Sequence, residues 1–205
     1  MKNISILIRR FWIFDLDGTL TLPQHDFKAI KAELEIPPDA DILLHLSRLS
    51  KQDALIKQKK LDEIEIGLAS TAKPSVGAAE LVRGLAEQGV HMGVLTRNSK
   101  TNAHVALEAI GLSQYFETLH VLGRDEVAPK PSPKGIYKLL HHWEADMGQA
   151  LMVGDYLYDL QCARAAGVAA VHMDTTERFP WPEYTDLAVR DLSDLHQLLI
   201  RTIAF

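Results

Sequence analysis

The sequence predicts an α/β fold: a parallel sheet flanked by helices and interrupted near its start by a small all-helical insertion. Three observations carry this. The apolar run Trp12-Ile13-Phe14 ends in the carboxylates Asp15 and Asp17, as a strand buried on both faces with chemistry at its end would. From Val76 onward, short apolar runs alternate with amphipathic segments, which is the grammar of consecutive strand and helix units. Between the two regions, residues 22–73 show helical periodicity and no convincing strand. The expected division is a core from residues 1–21 and 74–205, with residues 22–73 as the insertion.

Within the insertion, Phe27, Ile30 and Leu34 recur at helical spacing until Pro37-Pro38 stops them. A second helix carries Ile42, Leu43, Leu46 and Leu49. A third carries Leu61, Ile64 and Leu68 on one stripe. Beyond Lys73-Pro74, residues 77–88 read as a helix ended by Gly89. Residues 90–96 form the next strand, and Ser99 caps a helix that stops at Gly111. A short strand is expected near residues 119–122. Ser132-Pro133 looks like the cap and first position of a helix running to about residue 146. The run Ala150-Leu151-Met152-Val153-Gly154-Asp155 repeats the theme of an apolar strand ending in a carboxylate. A helix over 156–166, a strand over 168–171, an edge strand near 187–189 and a helix from 193 complete the chain.

Composition narrows the function classes. At 205 residues, 47% hydrophobic, 24% charged and net charge −5, the chain has the make-up of an ordinary soluble globular protein. The acidic balance argues against nucleic acid as a partner, and no apolar run is long enough to span a membrane. No secretory leader is recognisable at the start. The single cysteine, Cys162, forms no internal disulfide. That fits a cytoplasmic location, and the thiol falls on the apolar side of a helix.

The candidate reactive residues all sit at the carboxyl ends of expected strands, which lie on one edge of a parallel sheet. Asp15 and Asp17 repel one another unless a cation or proton intervenes, and Mg²⁺ favours such oxygen donors. Taken alone, Asp17-Gly18 reads equally as a turn. Thr96, followed by Arg97 and Asn98, offers a hydroxyl and amides near a helix N-terminus, groups that suit a phosphate. Alone, Thr96 reads as the start of a turn. Lys130 is flanked by Pro129 and Pro131, so its ammonium is rigidly presented. Alone, it reads as a solvated loop lysine. Asp155 and Asp159, four residues apart, share a face in a first helical turn, whose positive end keeps both charged and available to a metal or to Lys130.

Together, Asp15-Leu16-Asp17-Gly18-Thr19, Thr96, Lys130 and Gly154-Asp155-x-x-x-Asp159 resemble the haloacid dehalogenase superfamily in order, element and spacing. The branch it looks most like contains phosphoglycolate phosphatases and β-phosphoglucomutases. The resemblance implies a doubly wound Rossmann-like core with a helical cap after the first strand. It implies Asp15 as nucleophile and Mg²⁺ ligand, and Asp17 as general acid and base that also binds Mg²⁺ through its carbonyl. Thr96, with Arg97 and Asn98, and Lys130 would hold the phosphoryl group. Asp155 would bind the metal, and Asp159 would support the metal or Lys130. The implied reaction is Mg²⁺-dependent hydrolysis of a small phosphate ester through an aspartyl phosphate. A phosphomutase and a non-catalytic binding protein are the alternatives.

Two departures stand out. Tyr156 replaces the serine or threonine common after the metal-binding aspartate, and the cap is short. Among cap residues, His25 and Lys28 are candidates to meet an anionic substrate. The run Lys57, Lys59 and Lys60, placed before the third helix, reads as a solvated face. His172 and Asp174 read as structural.

Overall fold

The computed structural model describes residues 4–203; residues 1–3 and 204–205 of the expected core segment lie outside the described residues. A 3-10 helix, Ile4–Ile8, leads into β1, Phe11–Phe14, whose four side chains are all buried. Alternation along the strand sends Trp12 and Phe14 into one apolar cluster, and Phe11 and Ile13 into the other. A strand covered on both sides has no place for a polar residue, so the run stays apolar until it leaves the sheet at Asp15.

The helical segment follows. α1 (Phe27–Glu33), α2 (Ile42–Leu46) and α3 (Lys51–Ser70) begin at Asp26, Asp41 and Ser50. Each of these side chains accepts from the backbone N–H three residues on, satisfying one of the helix's orphan donors. Ile30, Leu34, Ile36, Leu46 and Leu61 form an apolar cluster of their own. The two ends of the segment meet, because Leu22 N donates to Lys73 O at 2.9 Å and Thr21 bridges Pro74.

The remaining elements are α4 (Ala78–Glu87), β2 (His91–Leu95), α5 (Lys100–Ala109), β3 (Val121–Leu122), α6 (Lys134–His142) and β4 (Ala150–Gly154). α7 (Leu157–Ala166), β5 (Ala169–Met173), β6 (Leu187–Val189) and α8 (Leu192–Ile203) complete the order. The six strands run parallel in the order β3-β2-β1-β4-β5-β6. This is a doubly wound sheet whose order reverses at β1, and ligands bind such sheets at that switch point, beyond the strand carboxyl ends.

Several expected boundaries shift. Leu49 lies outside α2. α6 begins at Lys134 with Pro133 in the cap position, and Ser132 Oγ stands 3.5 Å from Lys134 N, too long to be an effective cap. α6 also stops earlier than expected, with Glu144 at φ 51° turning the chain out of the helix. Lys57, Lys59 and Lys60 lie within α3, because Ser50 caps that helix and it begins at Lys51, ten positions earlier than a start after Lys60. Lys57 and Lys60 donate to the carbonyls of Leu34 and Glu33, closing the C-terminal end of α1. Among the described residues, no helix is long and apolar enough to cross a membrane.

Candidate active site

The chain leaves β1 with Asp15 still in register, its N–H donating to Val153 O of β4 at 2.9 Å. The turn that follows needs Gly18, which adopts φ +84°. A methyl group there would lie 2.5 Å from Asp155 Oδ2, so the glycine lets the loops after β1 and β4 close on one another. Thr19 Oγ1 then donates to Asp155 Oδ1 at 3.0 Å.

Lys130, in the loop after β3, is fully enclosed. Its Nζ lies 2.5 Å from Asp15 Oδ1 and 2.6 Å from Asp159 Oδ1. The peptide between Lys130 and Pro131 is cis. Asp159 also accepts from Tyr156 N at 3.0 Å, so it caps the start of α7 while holding the ammonium. The Gly154 Cα hydrogen faces this carboxylate at close quarters, with no room for a side chain. Asp155 lies just before the helix; its carboxylate serves Thr19, and the cap is made by Asp159.

Asp17 diverges from Asp15. Its Oδ2 accepts from Asn98 Nδ2 at 2.7 Å, and its Oδ1 lies 3.7 Å from His25 Nδ1. Asn98 N donates to Thr96 Oγ1 at 3.1 Å. Thr96 is buried, and among the described residues its hydroxyl donates to none. Asp15, Asp17, His25, Thr96, Asn98, Lys130, Asp155 and Asp159 all line one cavity of about 500 Å³.

Two expected contacts fall elsewhere. Arg97 borders the cavity, but its guanidinium is committed to Asp41 Oδ2 and to Lys130 O, each at 2.6 Å, and lies over the Tyr158 ring. Lys28 is exposed on α1 and does not line the cavity. Asp174 accepts from Thr176, Arg178 and Phe179, organising its own loop. The His172 imidazole is buried against Phe179 and Trp181. Cys162 is buried and its thiol is pushed up to about 12 by that burial.

Sequence reasoning missed Arg124, which reaches from the loop after β3 to α3. It meets Glu65 through both guanidinium nitrogens (3.0 and 2.6 Å), Asp62 at 2.6 Å and Arg97 O at 2.9 Å. The available signal was Glu65 itself, four residues after Leu61 and three before Leu68, a charge on an apolar stripe.

The electrostatics follow from crowding acids in a largely buried crevice. Burial raises Asp15 well above the usual carboxylate range, the Asp159 and Asp155 charges add to this, and Lys130 opposes them. Burial, then Asp159, push Asp155 up to about 7. Asp17 is raised by burial and pulled back by His25 and Lys130. Burial pulls Lys130 down, but Asp15 and Asp159 outweigh it and hold the ammonium above its ordinary value. One oxygen each of Asp15, Asp155 and Asp159 lies within 4.8 Å of the others. Three hard anionic donors with one ammonium among them fit a small divalent cation of the Mg²⁺ kind.

The chain is similar to known phosphatases and hydrolases. The "Probable phosphatase IndB" of Dickeya dadantii is 33% identical, over 78% of this chain and 78% of its own. A phosphoglycolate phosphatase of Mesorhizobium japonicum is 28% identical, over 70% of this chain and 59% of its own. The crystal structure of a hydrolase from Pseudomonas syringae superposes with a TM-score of 0.76 at 23% identity, over 94% of this chain and 99% of that one. The family described as haloacid dehalogenase-like hydrolase matches residues 12–173, from β1 to the end of β5, and the chain belongs to that family.

Proposed function

We propose that the chain is a Mg²⁺-dependent phosphatase of small phosphomonoesters that works through an aspartyl phosphate on Asp15. The observation that carries this reading is the convergence of Asp15, Asp17, Thr96, Lys130 and Asp155 on a single cavity. Binding alone has no use for two carboxylates two residues apart with different partners, one on an ammonium and one on a neutral amide.

Asp15 attacks phosphorus in line, and the bond to the ester oxygen breaks. Asp17, whose carboxyl is raised by burial and oriented by Asn98, gives its proton to that oxygen. Asp17 then takes a proton from water as it hydrolyses the aspartyl phosphate. Lys130, held by Asp159, and the Thr96 hydroxyl neutralise and orient the phosphoryl oxygens. Asp15, Asp155 and the Asp17 carbonyl would hold Mg²⁺, which when bound offsets the carboxylate charges and withdraws charge from the phosphoryl group. Residues 22–73 serve as the cap, covering the cavity with α1 and α2 and excluding water.

The test is phosphate release from acetyl, glycerol and glycolate phosphates with and without Mg²⁺, beside Asp15→Asn. Release should need the metal and fall at least a thousandfold in the variant. Rapid acid quench of the native chain should trap phosphate on protein in a hydroxylamine-labile bond. Undiminished turnover by Asp15→Asn would overturn the reading.

A further inference from the structure

The cavity extends beyond what a phosphoryl group fills. Its outer wall is built from Phe27, Ile42 and Leu43 on the helical segment, and from Tyr156 and Tyr158 at the start of α7. Phe27 and Tyr156 are 58% and 52% exposed, and neither belongs to an apolar cluster of the fold. Both rings are nonetheless held in place. Phe27 stacks on His25, with centroids 5.4 Å apart and planes at 14°. Tyr156 makes edge contacts with Tyr158 at 5.2 Å and Trp181 at 5.4 Å, and Trp181 rests on His172 at 5.3 Å. The 179–182 loop thus acts as a buttress for the tyrosine.

Of the four lysines and arginines lining this cavity, three are paired with carboxylates. Arg97 is paired with Asp41, and Arg124 with Asp62 and Glu65. Lys130 lies between Asp15 and Asp159. Lys31 donates to Pro38 O at 2.8 Å, a neutral partner that leaves its charge uncompensated. Among the described residues, Lys31 is thus the one lysine or arginine lining this cavity with no carboxylate partner, and the aromatic faces of Phe27 and Tyr156 are the larger unpartnered surface.

We infer that the ester's alcohol is aromatic, its ring received between Phe27 on the insertion and Tyr156 on the core. This deepens the phosphatase reading and rests on it. In the reaction, the bond between phosphorus and the aryl-alkyl oxygen breaks as that between phosphorus and Asp15 forms, and the Asp17 proton leaves with the alcohol. Aromatic contacts of this kind discriminate by roughly tenfold.

The experiment compares kcat/KM for benzyl phosphate, glycerol phosphate and 2-phosphoglycolate, esters of alcohols with similar leaving ability, with acetyl phosphate as a general phosphoryl donor. Benzyl phosphate should be preferred over each of the other two esters by about tenfold or more, mostly through KM. Phe27→Ala and Tyr156→Ser should each erase most of that ratio, and Tyr156→Phe, which keeps the ring, should retain it. Preference for phosphoglycolate, or a ratio unmoved by Phe27→Ala and Tyr156→Ser, would overturn the inference and leave the phosphatase reading standing. Release from no compound, acetyl phosphate included, would overturn both.

Discussion

Removing Arg124 should be the most damaging single change outside the loops that follow β1 and β4. The guanidinium is almost enclosed, and so is its bidentate partner Glu65; Asp62 and Arg97 O complete its contacts. Arg124→Ala leaves the Glu65 carboxylate buried, with Asn102 Nδ2 at 3.3 Å as its remaining partner. A buried charge stripped of its counter-ion costs about 3–5 kcal/mol, a fall of roughly 10 °C in Tm for a chain of this size. Burial already raises Glu65, and Arg124 is the chief group opposing it. Without Arg124 its folded-state pKa climbs further above the unfolded value, so the native state binds more protons than the unfolded one across that interval. The variant's penalty is then smallest below the unfolded pKa, about 4.3, and grows as pH rises toward the folded value. Urea unfolding of wild type, Arg124→Ala, Arg124→Met, Glu65→Met and the double methionine variant at pH 5 and pH 8 measures it. The double variant should recover about 2 kcal/mol relative to the sum of the singles at pH 8. A cost under about 1 kcal/mol for Arg124→Ala, or strictly additive singles, would refute the reasoning.

Two further predictions concern the acidic crevice. Asp155, pushed up to about 7 in the folded state, binds protons there that the unfolded chain has released, so its contribution falls as pH rises toward 7. Asp155→Asn should therefore be more stable than wild type in EDTA at pH 8, lose that advantage by pH 4, and lose the Mg²⁺-induced rise in Tm; an identical pH profile for both chains would count against the placement. Gly18→Ala combines a strained φ, about 1 kcal/mol, with a methyl 2.5 Å from the Asp155 carboxylate. It should abolish phosphate release and cost about 2 kcal/mol or more in urea unfolding, and full activity would show that the β1 and β4 loops need not meet so closely.

The strands and the sheet edge they end on were legible because their signals are local. An apolar run of four to five residues that stops at a carboxylate marks both the strand and the sheet edge it reaches, as at Phe14-Asp15 and Gly154-Asp155. Helix ends were read less well where a proline precedes the helix. At Ser132-Pro133 the serine looked like a cap, whereas Pro133 itself holds the cap position and cannot offer a side-chain acceptor. Side-chain destinations were the least legible, because they depend on partners far along the chain. Asn98, grouped with the phosphate donors by sequence, spends its amide on Asp17, 81 residues away.

The two cavity-lining arginines show why such destinations matter to function. Arg97 follows β2 by two residues and Arg124 follows β3 by two, so both leave the edge where phosphate chemistry is expected. Each instead reaches the helical segment, Arg97 at the start of α2 and Arg124 in α3. Asp41 divides its carboxylate between the two tasks, one oxygen capping α2 through Leu44 N and the other holding Arg97. The same guanidinium donates to the Lys130 carbonyl at 2.6 Å. A displacement of α2 would thus pull on the group that fixes the Lys130 backbone, and Lys130 is in direct contact with Asp15. In the proposed mechanism, the position of the cap and the readiness of Asp15 as nucleophile are joined through one side chain.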